Sequence, residues 1–351
     1  MNILFITHNF YPRIGGIEVN SEILAKAFSE AGHDVRLVTW TKDPKATCFP
    51  FQIFRDPDLL VLLRLHKWAN VIFENNPSLR LSWPALFFRK PHVVAIRTWI
   101  TRSDGSTGLK DILKTLWLKK ASRNIAVSSA IKNECCKDAV VIGNPYRDDL
   151  FRIIPEIHRS RHFVFLGRLV SDKGADHAIM AVHQISKKLS QEFSLTIIGN
   201  GPERTSLEKL VRKYRMEKSV RFTGSLRGEQ LISQLNEHKY ILIPSLWKEP
   251  FGNVALEGLA CGCIPIVSDG GGLPEAIGEA GYTFKRGDLK SLVDILKRLD
   301  RFPEEETRLR EKAHNHLKNY RSEYVTKRYL EEIDLTYRRY HSENNRITSH
   351  Q

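Results

Sequence analysis

Glu249 and Glu257 stand eight residues apart in the run 245–257. Pro250 keeps the residue before it extended and favours a helix starting just afterwards. The first carboxylate is then expected in a loop at a helix N-terminus. The second is expected about two turns inside, roughly 12 Å away at 1.5 Å of rise per residue. Between them lie the N–H groups of Phe251, Gly252, Asn253 and Val254. Such groups have no acceptor within their own helix and suit an anion. Acid, anion hole, acid fits a ligand with hydroxyls at each end and phosphates between, as in a nucleotide diphosphate-sugar. An amphipathic helix with two solvated glutamates has the same spacing, so other groups must decide.

Cations in the same half point the same way. The apolar run 163–166 is followed by Gly167, Arg168, Lys173 and Gly174, which sets two positive charges at the end of a strand. Open α/β sheets take ligands at that edge. Arginine can grip a phosphate with two bonds and lysine adds a compact charge; a surface salt bridge is the plainer alternative. Gly199–Glu203 follows another strand and reads as a tight turn, because Arg204 stands where a dinucleotide fingerprint has its third glycine. Gly270, Gly271 and Gly272 form one more flexible turn. Near the N-terminus, Gly15 and Gly16 precede a helix and permit close backbone approach to a ligand. No G-x-G-x-x-G is present and the second strand leads to Trp40 rather than an acid, which disfavours a nicotinamide enzyme. The thirteen histidines show no metal-ligand spacing, and no nucleophile elbow occurs.

The elements that must carry these groups alternate strand and helix, which predicts α/β architecture with parallel sheets. A first series of strands is expected at 2–7, 34–38, 51–54, 71–73, 92–96, 125–127 and 140–142. A second is expected at 163–166, 195–198, 220–223, 240–243 and 264–267. A helix over 17–31 should stop at Gly32. The two series meet near 143–161, which holds Pro145 and Pro155 and marks a domain boundary. From Pro303 the chain reads as helical and charged.

At 351 residues two domains are the natural expectation. The net charge is +14; through Pro155 there are 22 basic and 14 acidic residues, a net +8, which leaves +6 for the remainder. This favours an acidic partner such as a phosphorylated substrate or anionic lipid. The spread over both halves, without an arginine-rich tail, argues against nucleic acid. No run approaches the roughly 18 apolar residues of a spanning helix. A first strand at Asn2 leaves no room for a signal peptide, and five cysteines without metal spacing suit free thiols in a reducing cytoplasm. The segment 108–122 carries Leu109, Ile112, Leu113, Leu116, Trp117 and Leu118 among lysines, and Arg102 and Asp104 lie just before it. It reads equally as a core helix with a basic face or as a peripheral contact with anionic membrane.

In order and context these motifs resemble the GT-B retaining glycosyltransferases of the family 4 type (glycosyl transferases group 1). The matching segments are 12–18 with Gly15 and Gly16, 32–35, Gly167 and Arg168 through Gly174, 199–203, 222–226, and Glu249 to Glu257 followed by 260–262. They span nearly the whole chain and are more specific in the second half. The resemblance implies two Rossmann-like parallel-sheet domains facing a cleft: an acceptor-side domain at 1–155 and a nucleotide-sugar domain at 156–320. A C-terminal helix at 321–340 would pack back on the first domain, with a frayed tail at 341–351.

The resemblance also implies roles. Arg168 and Lys173 would bind the diphosphate, assisted by backbone N–H groups at Gly16 and at Phe251, Gly252, Asn253 and Val254. Gly15 and Gly199 would lie beside the donor and Leu226 against its base. Glu249 would position the sugar hydroxyls and Glu257 the ribose. The family commonly has a histidine where this chain has Arg97; either Arg97 orients substrate instead or the catalytic detail differs. The implied activity is metal-independent, retaining transfer of a hexose to a carbohydrate or lipid-linked acceptor, in polysaccharide or glycolipid biosynthesis. UDP-glucose is the lead donor, with GDP-mannose and UDP-N-acetylglucosamine open, and no cofactor beyond the substrate is expected. The alternatives are a sugar-nucleotide epimerase of the same fold and a non-catalytic sugar-nucleotide-binding subunit.

Overall fold

The computed structural model of the chain describes residues 1–13, 15–101, 108–302 and 304–348, with side chains through residue 343. Arg102 and Asp104 fall outside these residues. The chain forms two units, Met1–Pro145 with Ser322–Gln351, and Tyr146–Arg321. The division after Pro145 comes earlier than the expected 155. The segment in between is tied to the second unit: Ile154 N donates to Asn236 Oδ1 at 2.8 Å and Arg152 pairs with Glu229 at 3.0 Å.

The first unit holds a seven-stranded sheet. Its strands are β1 (Asn2–Ile6), β2 (Asp34–Thr39), β3 (Gln52–Arg55), β4 (Val71–Asn75), β5 (His92–Ile96), β6 (Arg123–Ala126) and β7 (Val140–Val141). All neighbours run parallel in the order β3-β2-β1-β4-β5-β6-β7. Both faces of β1 are covered, which explains its unbroken apolar sequence. Ile3 and Phe5 enter one core with Leu24, Phe28 and Phe73, while Leu4 and Ile6 enter another with Val38, Leu62 and Leu65. Alternation of side chains across the sheet produces this division.

The helix Ser322–Thr348 belongs to the same unit. Val325, Tyr329 and Ile333, spaced four apart, place one helical stripe in the Phe5–Phe73 core. The Tyr329 ring stands perpendicular to Phe73 at 5.8 Å, and Arg123 Nε binds Glu332 at 2.6 Å. The helix runs as far as Thr348, into the stretch expected to fray from 341. Tyr337 and His341 rings meet at 4.3 Å and Arg338 pairs with Asp334 at 2.7 Å, so side-chain pairs along one face extend it.

The second unit holds a six-stranded sheet. Its strands are β8 (Arg161–Leu166), β9 (Leu195–Ile198), β10 (Val220–Gly224), β11 (His238–Ile243), β12 (Ile264–Ser268) and β13 (Tyr282–Phe284). They run parallel in the order β10-β9-β8-β11-β12-β13. The sequence reading lacked β13, whose three residues are too few to show a pattern. One core of Phe163, Ile179, Val182, Leu195, Tyr240, Ile266 and Leu296 joins helices to this sheet.

Glu74 is a buried acid in the first unit, fully excluded from solvent at the end of β4. It accepts from His92 at 3.0 Å and Trp117 Nε1 at 2.8 Å, and also from Ser78 N. Burial alone would raise its pKa; these bonds outweigh burial and hold it below the ordinary carboxylate value. His92 is thereby structural. Glu74→Ala strips the partner from three buried donors and should cost roughly 2–4 kcal/mol in urea unfolding. A loss under about 1 kcal/mol would show that the network does not hold this face together.

Candidate functional site

In the second sheet the chain order reverses between β8 and β11. The loops that follow these two strands run to opposite sides and leave a crevice at the carboxyl ends, where doubly wound sheets take ligands. Arg168 and Lys173 follow β8; Glu249 follows β11. The two charged loops were read separately in the sequence, and the fold brings them together. Lys173 Nζ lies 2.5 Å from Glu249 Oε1, and both side chains are mostly buried.

The backbone makes this pairing firm. The Asp172 carbonyl accepts from Leu246 N at 2.8 Å and Trp247 N at 3.1 Å. Ser245 Oγ sits 3.1 Å from both Glu249 Oε1 and the Asp172 carbonyl, so its single proton serves one or the other. The Lys173 ammonium stands 5.1 Å above the Trp247 ring. Gly174 has φ +71, and a Cβ there would fall 2.0 Å from the Pro244 carbonyl oxygen. Only glycine lets the β8 loop approach so closely. On the other side Gly272 N donates to the Glu249 carbonyl at 2.7 Å. The glycine turn at 270–272 thus fixes Glu249 from behind.

Arg168 is exposed and has no ion-pair partner among the described residues. The anion-hole segment departs from expectation in one respect. Its helix is Asn253–Ala260, with Gly252 as N-cap at φ +123. Glu257 is therefore its fifth residue, little more than one turn inside rather than two, and the 12 Å estimate no longer applies. Residues 250–252 form the loop instead, because Pro250 and the left-handed Gly252 delay the helix. Phe251 buries its ring against Tyr320 at 5.5 Å, which leaves only its backbone for a ligand. Asn253 and Val254 open the helix.

Glu257 is half-buried, and burial pushes its carboxyl up to about 7. No group among the described residues offers it a hydrogen bond or a countercharge. Its carboxyl is thus desolvated with no compensating partner among the described residues. Gly199 sits in the turn after β9, its N–H donating to the Gly224 carbonyl at 2.8 Å. Leu226 is half-buried in the loop after β10. Ser245, Asp172 and Trp247 were missed in the sequence. Ser245 lies four residues before Glu249 at a strand end, a signal too common to single out.

In the first unit Gly15 is the extended N-cap of the helix Gly16–Glu30, and Gly16 is its first residue. A Cβ on Gly15 would fall 2.5 Å from a Glu18 carboxylate oxygen. Arg97 follows β5 and is only 5% exposed. Its Nε donates to Asn75 at 2.7 Å and its Nη1 to Asn144 at 2.8 Å, beside the Tyr329 ring. Nη2 has no hydrogen-bond partner. Arg97 is therefore an internal fixture of this unit with one donor left over. The helix Leu109–Lys120 buries Trp117 and Leu118 and exposes Leu109, Ile112, Leu113 and Leu116. No helix among the described residues is long and apolar enough to cross a membrane. All five cysteines are free thiols.

The family model for glycosyl transferases group 1 matches residues 147–316, nearly all of the second unit. Among curated proteins, one subunit of the Homo sapiens phosphatidylinositol N-acetylglucosaminyltransferase is 25% identical over 337 residues, covering 85% of this chain and 68% of that protein. The GPI3 subunit of the Saccharomyces cerevisiae enzyme of the same name is 22% identical over 323 residues, covering 79% and 70%. Among solved structures, Anabaena Alr3699/HepE in complex with UDP superposes with TM-score 0.81 at 17% identity, covering 95% of this chain and 100% of that one. Its complex with UDP-glucose gives 0.78 at 16% identity, covering 95% and 99%. Residues 147–316 thus carry a glycosyl transferases group 1 domain, and the chain shares the GT-B fold of these solved structures.

Proposed function

We propose that the chain transfers a hexose from a nucleotide diphosphate-sugar to a carbohydrate or lipid-linked acceptor, with retention and without a metal ion. The observation that carries this reading is the meeting of Lys173 and Glu249 at the β8/β11 crevice, with Arg168 unpaired beside it in sequence. UDP-glucose is the lead donor, in keeping with the UDP-glucose complex of the Anabaena protein. The names of the curated relatives favour N-acetylglucosamine as a second reading for the sugar.

The barrier to transfer lies in departure of the diphosphate and formation of an oxocarbenium-like sugar. Arg168, Lys173 and the N–H groups from Phe251 to Val254 stabilise the charge that gathers on the leaving phosphates. One preorganised donor of this kind is worth roughly 3–4 kcal/mol. The acceptor attacks the face that the diphosphate leaves, and a diphosphate oxygen takes its proton. Glu249 holds sugar hydroxyls and keeps Lys173 in place. Gly15 and Gly16 offer backbone, and Gly199 and Leu226 border the base.

Lys173→Ala and Arg168→Ala should each lower turnover about a hundredfold with the fold retained. Near-normal turnover in both would sink the diphosphate assignment. EDTA should leave activity unchanged, and a strict metal requirement contradicts the cation-driven mechanism.

Glu257 adds a pH signature. Its carboxyl, at about 7 when empty, becomes a charged acceptor as pH rises. Ribose hydroxyls favour that charged form, so ligand binding improves as pH rises through 7 and weakens below it. UDP-glucose, whose phosphates do not titrate there, should bind about tenfold tighter at pH 8 than at pH 6. Glu257→Gln should flatten the dependence; a flat profile in the unaltered protein removes Glu257 from the ribose.

The exposed leucines and isoleucine of Leu109–Lys120, flanked by lysines, support peripheral contact with anionic lipid on the cytoplasmic face. Flotation with anionic liposomes at low salt should carry the protein upward, and Leu109→Ser with Leu116→Ser should reduce it several-fold. Equal flotation with neutral liposomes argues against the charge component.

A further inference from the structure

A cavity of about 280 Å³ opens within the second unit, away from the β8/β11 crevice. Ile264, the first residue of β12, lines it, so it lies at the amino edge of the sheet rather than the carboxyl edge. The helix Asn253–Ala260 links the two places. Asn253 opens it on the crevice side, and Leu259 and Ala260, its last two residues, line the cavity. At 1.5 Å per residue its two ends stand about 10 Å apart. Ala313 and Leu317 of the helix Glu305–Leu317 add to the apolar lining, as does Phe151 from the segment that enters the unit. The volume falls at the lower end of small-molecule sites, which begin near roughly 300 Å³.

The cavity also has a charged side. Arg152, Arg310 and Arg321 line it, with Asp148 as the one carboxylate of the lining. The carbonyls at a helix end would oppose an anion, but arginines already cover them here. Arg310 Nη1 donates to the Gly262 carbonyl, and Arg159 Nη2 to the Cys261 carbonyl at 2.5 Å. Gly262 allows this closeness: its φ is +79, and a Cβ there would fall 2.4 Å from Arg159 Nη2. Arg310 is thereby fixed, with Glu306 at 3.3 Å on its other terminal nitrogen. Arg152 is available to a ligand. Its pair with Glu229 leaves more than half of each side chain in water, where such a pair stabilises little. Arg321 is exposed and bonds the Tyr146 phenol, which burial pushes above its ordinary pKa and so keeps neutral.

An apolar wall beside recruitable guanidinium groups suits a molecule with the same two halves. We propose that this cavity binds a small organic anion, its carboxylate or phosphate head on Arg152 and Arg321 and its short apolar body against Phe151, Leu259, Ala313 and Leu317. Each half contributes. The body takes apolar lining out of water, and the head gains charge-assisted bonds in the fork geometry that arginine offers. The site is separate from the β8/β11 crevice, and it does not rest on the glycosyl-transfer reading.

The test is a titration of the full chain followed by saturation-transfer NMR, with octanoate, acetate and octanol as probes. A parallel series uses octyl phosphate, inorganic phosphate and octanol. In one series or both, the complete amphiphile should bind at least tenfold tighter than either of its halves, and the responding series identifies the head group. Saturating UDP should not displace it. Arg152→Gln and Arg321→Gln change exposed side chains and should each weaken binding roughly three- to tenfold. Ala313→Leu fills the apolar end and should weaken it at least tenfold, while UDP affinity stays unchanged in all three variants. If Ala313→Leu does not fold, the two arginine variants decide. Binding of the halves as tight as that of the amphiphile in both series overturns the proposal. So does full affinity in the variants, and so does displacement by UDP, which would place the probe in the β8/β11 crevice.

Discussion

The ion pair between Lys173 and Glu249 is the constraint on which the rest of the second unit depends. A mostly buried charge without a partner is costly, and removing one member of such a pair strands the other. Three loops must therefore hold register together. The turn Ser171–Lys173 docks through the Asp172 carbonyl on the backbone of 246 and 247, and the glycine turn after β12 fastens the Glu249 carbonyl. The left-handed Gly174 permits the contact, and the left-handed Gly252 turns the chain into the helix at Asn253. The pair is also poised for its work. On the proposed function, an arriving diphosphate would compete for Lys173 and Glu249 would gain the sugar hydroxyls in exchange.

The same topological device operates in each unit. Reversal of strand order opens a crevice between β8 and β11 in one sheet and between β1 and β4 in the other. In the second unit the crevice holds a matched acid and base beside a helix start. Arg97 departs most from the resemblance. Asn75 and Asn144 draw it into the interior of the first unit, where its Nη2 is closed to solvent.

Much of the fold was legible because buried parallel strands are apolar runs bounded by turns. The strands at His92–Ile96 and Leu195–Ile198 appear with the expected bounds. What escaped depended on contacts distant in sequence. Tyr282–Phe284 is a strand because β12 pairs with it, and the segment after Pro145 joins the second unit through Asn236 and Glu229. Within the site, residue types and loop positions were legible. The partnership of Lys173 with Glu249, 76 residues away, and the clamp by Ser245 and Asp172 were not, because no local pattern encodes them. The helix position of Glu257 was misjudged because the reading allowed for Pro250 and not for the positive φ of Gly252.

The central claim is that Lys173 is placed to hold the second phosphate of a nucleotide. Calorimetric titration of UMP and UDP into the unaltered chain and Lys173→Ala tests it most directly. The account predicts that UDP binds the unaltered chain at least tenfold tighter than UMP, and that Lys173→Ala removes most of this difference while UMP affinity holds. Equal affinity for UMP and UDP in the unaltered chain, or an undiminished difference in the variant, would contradict it.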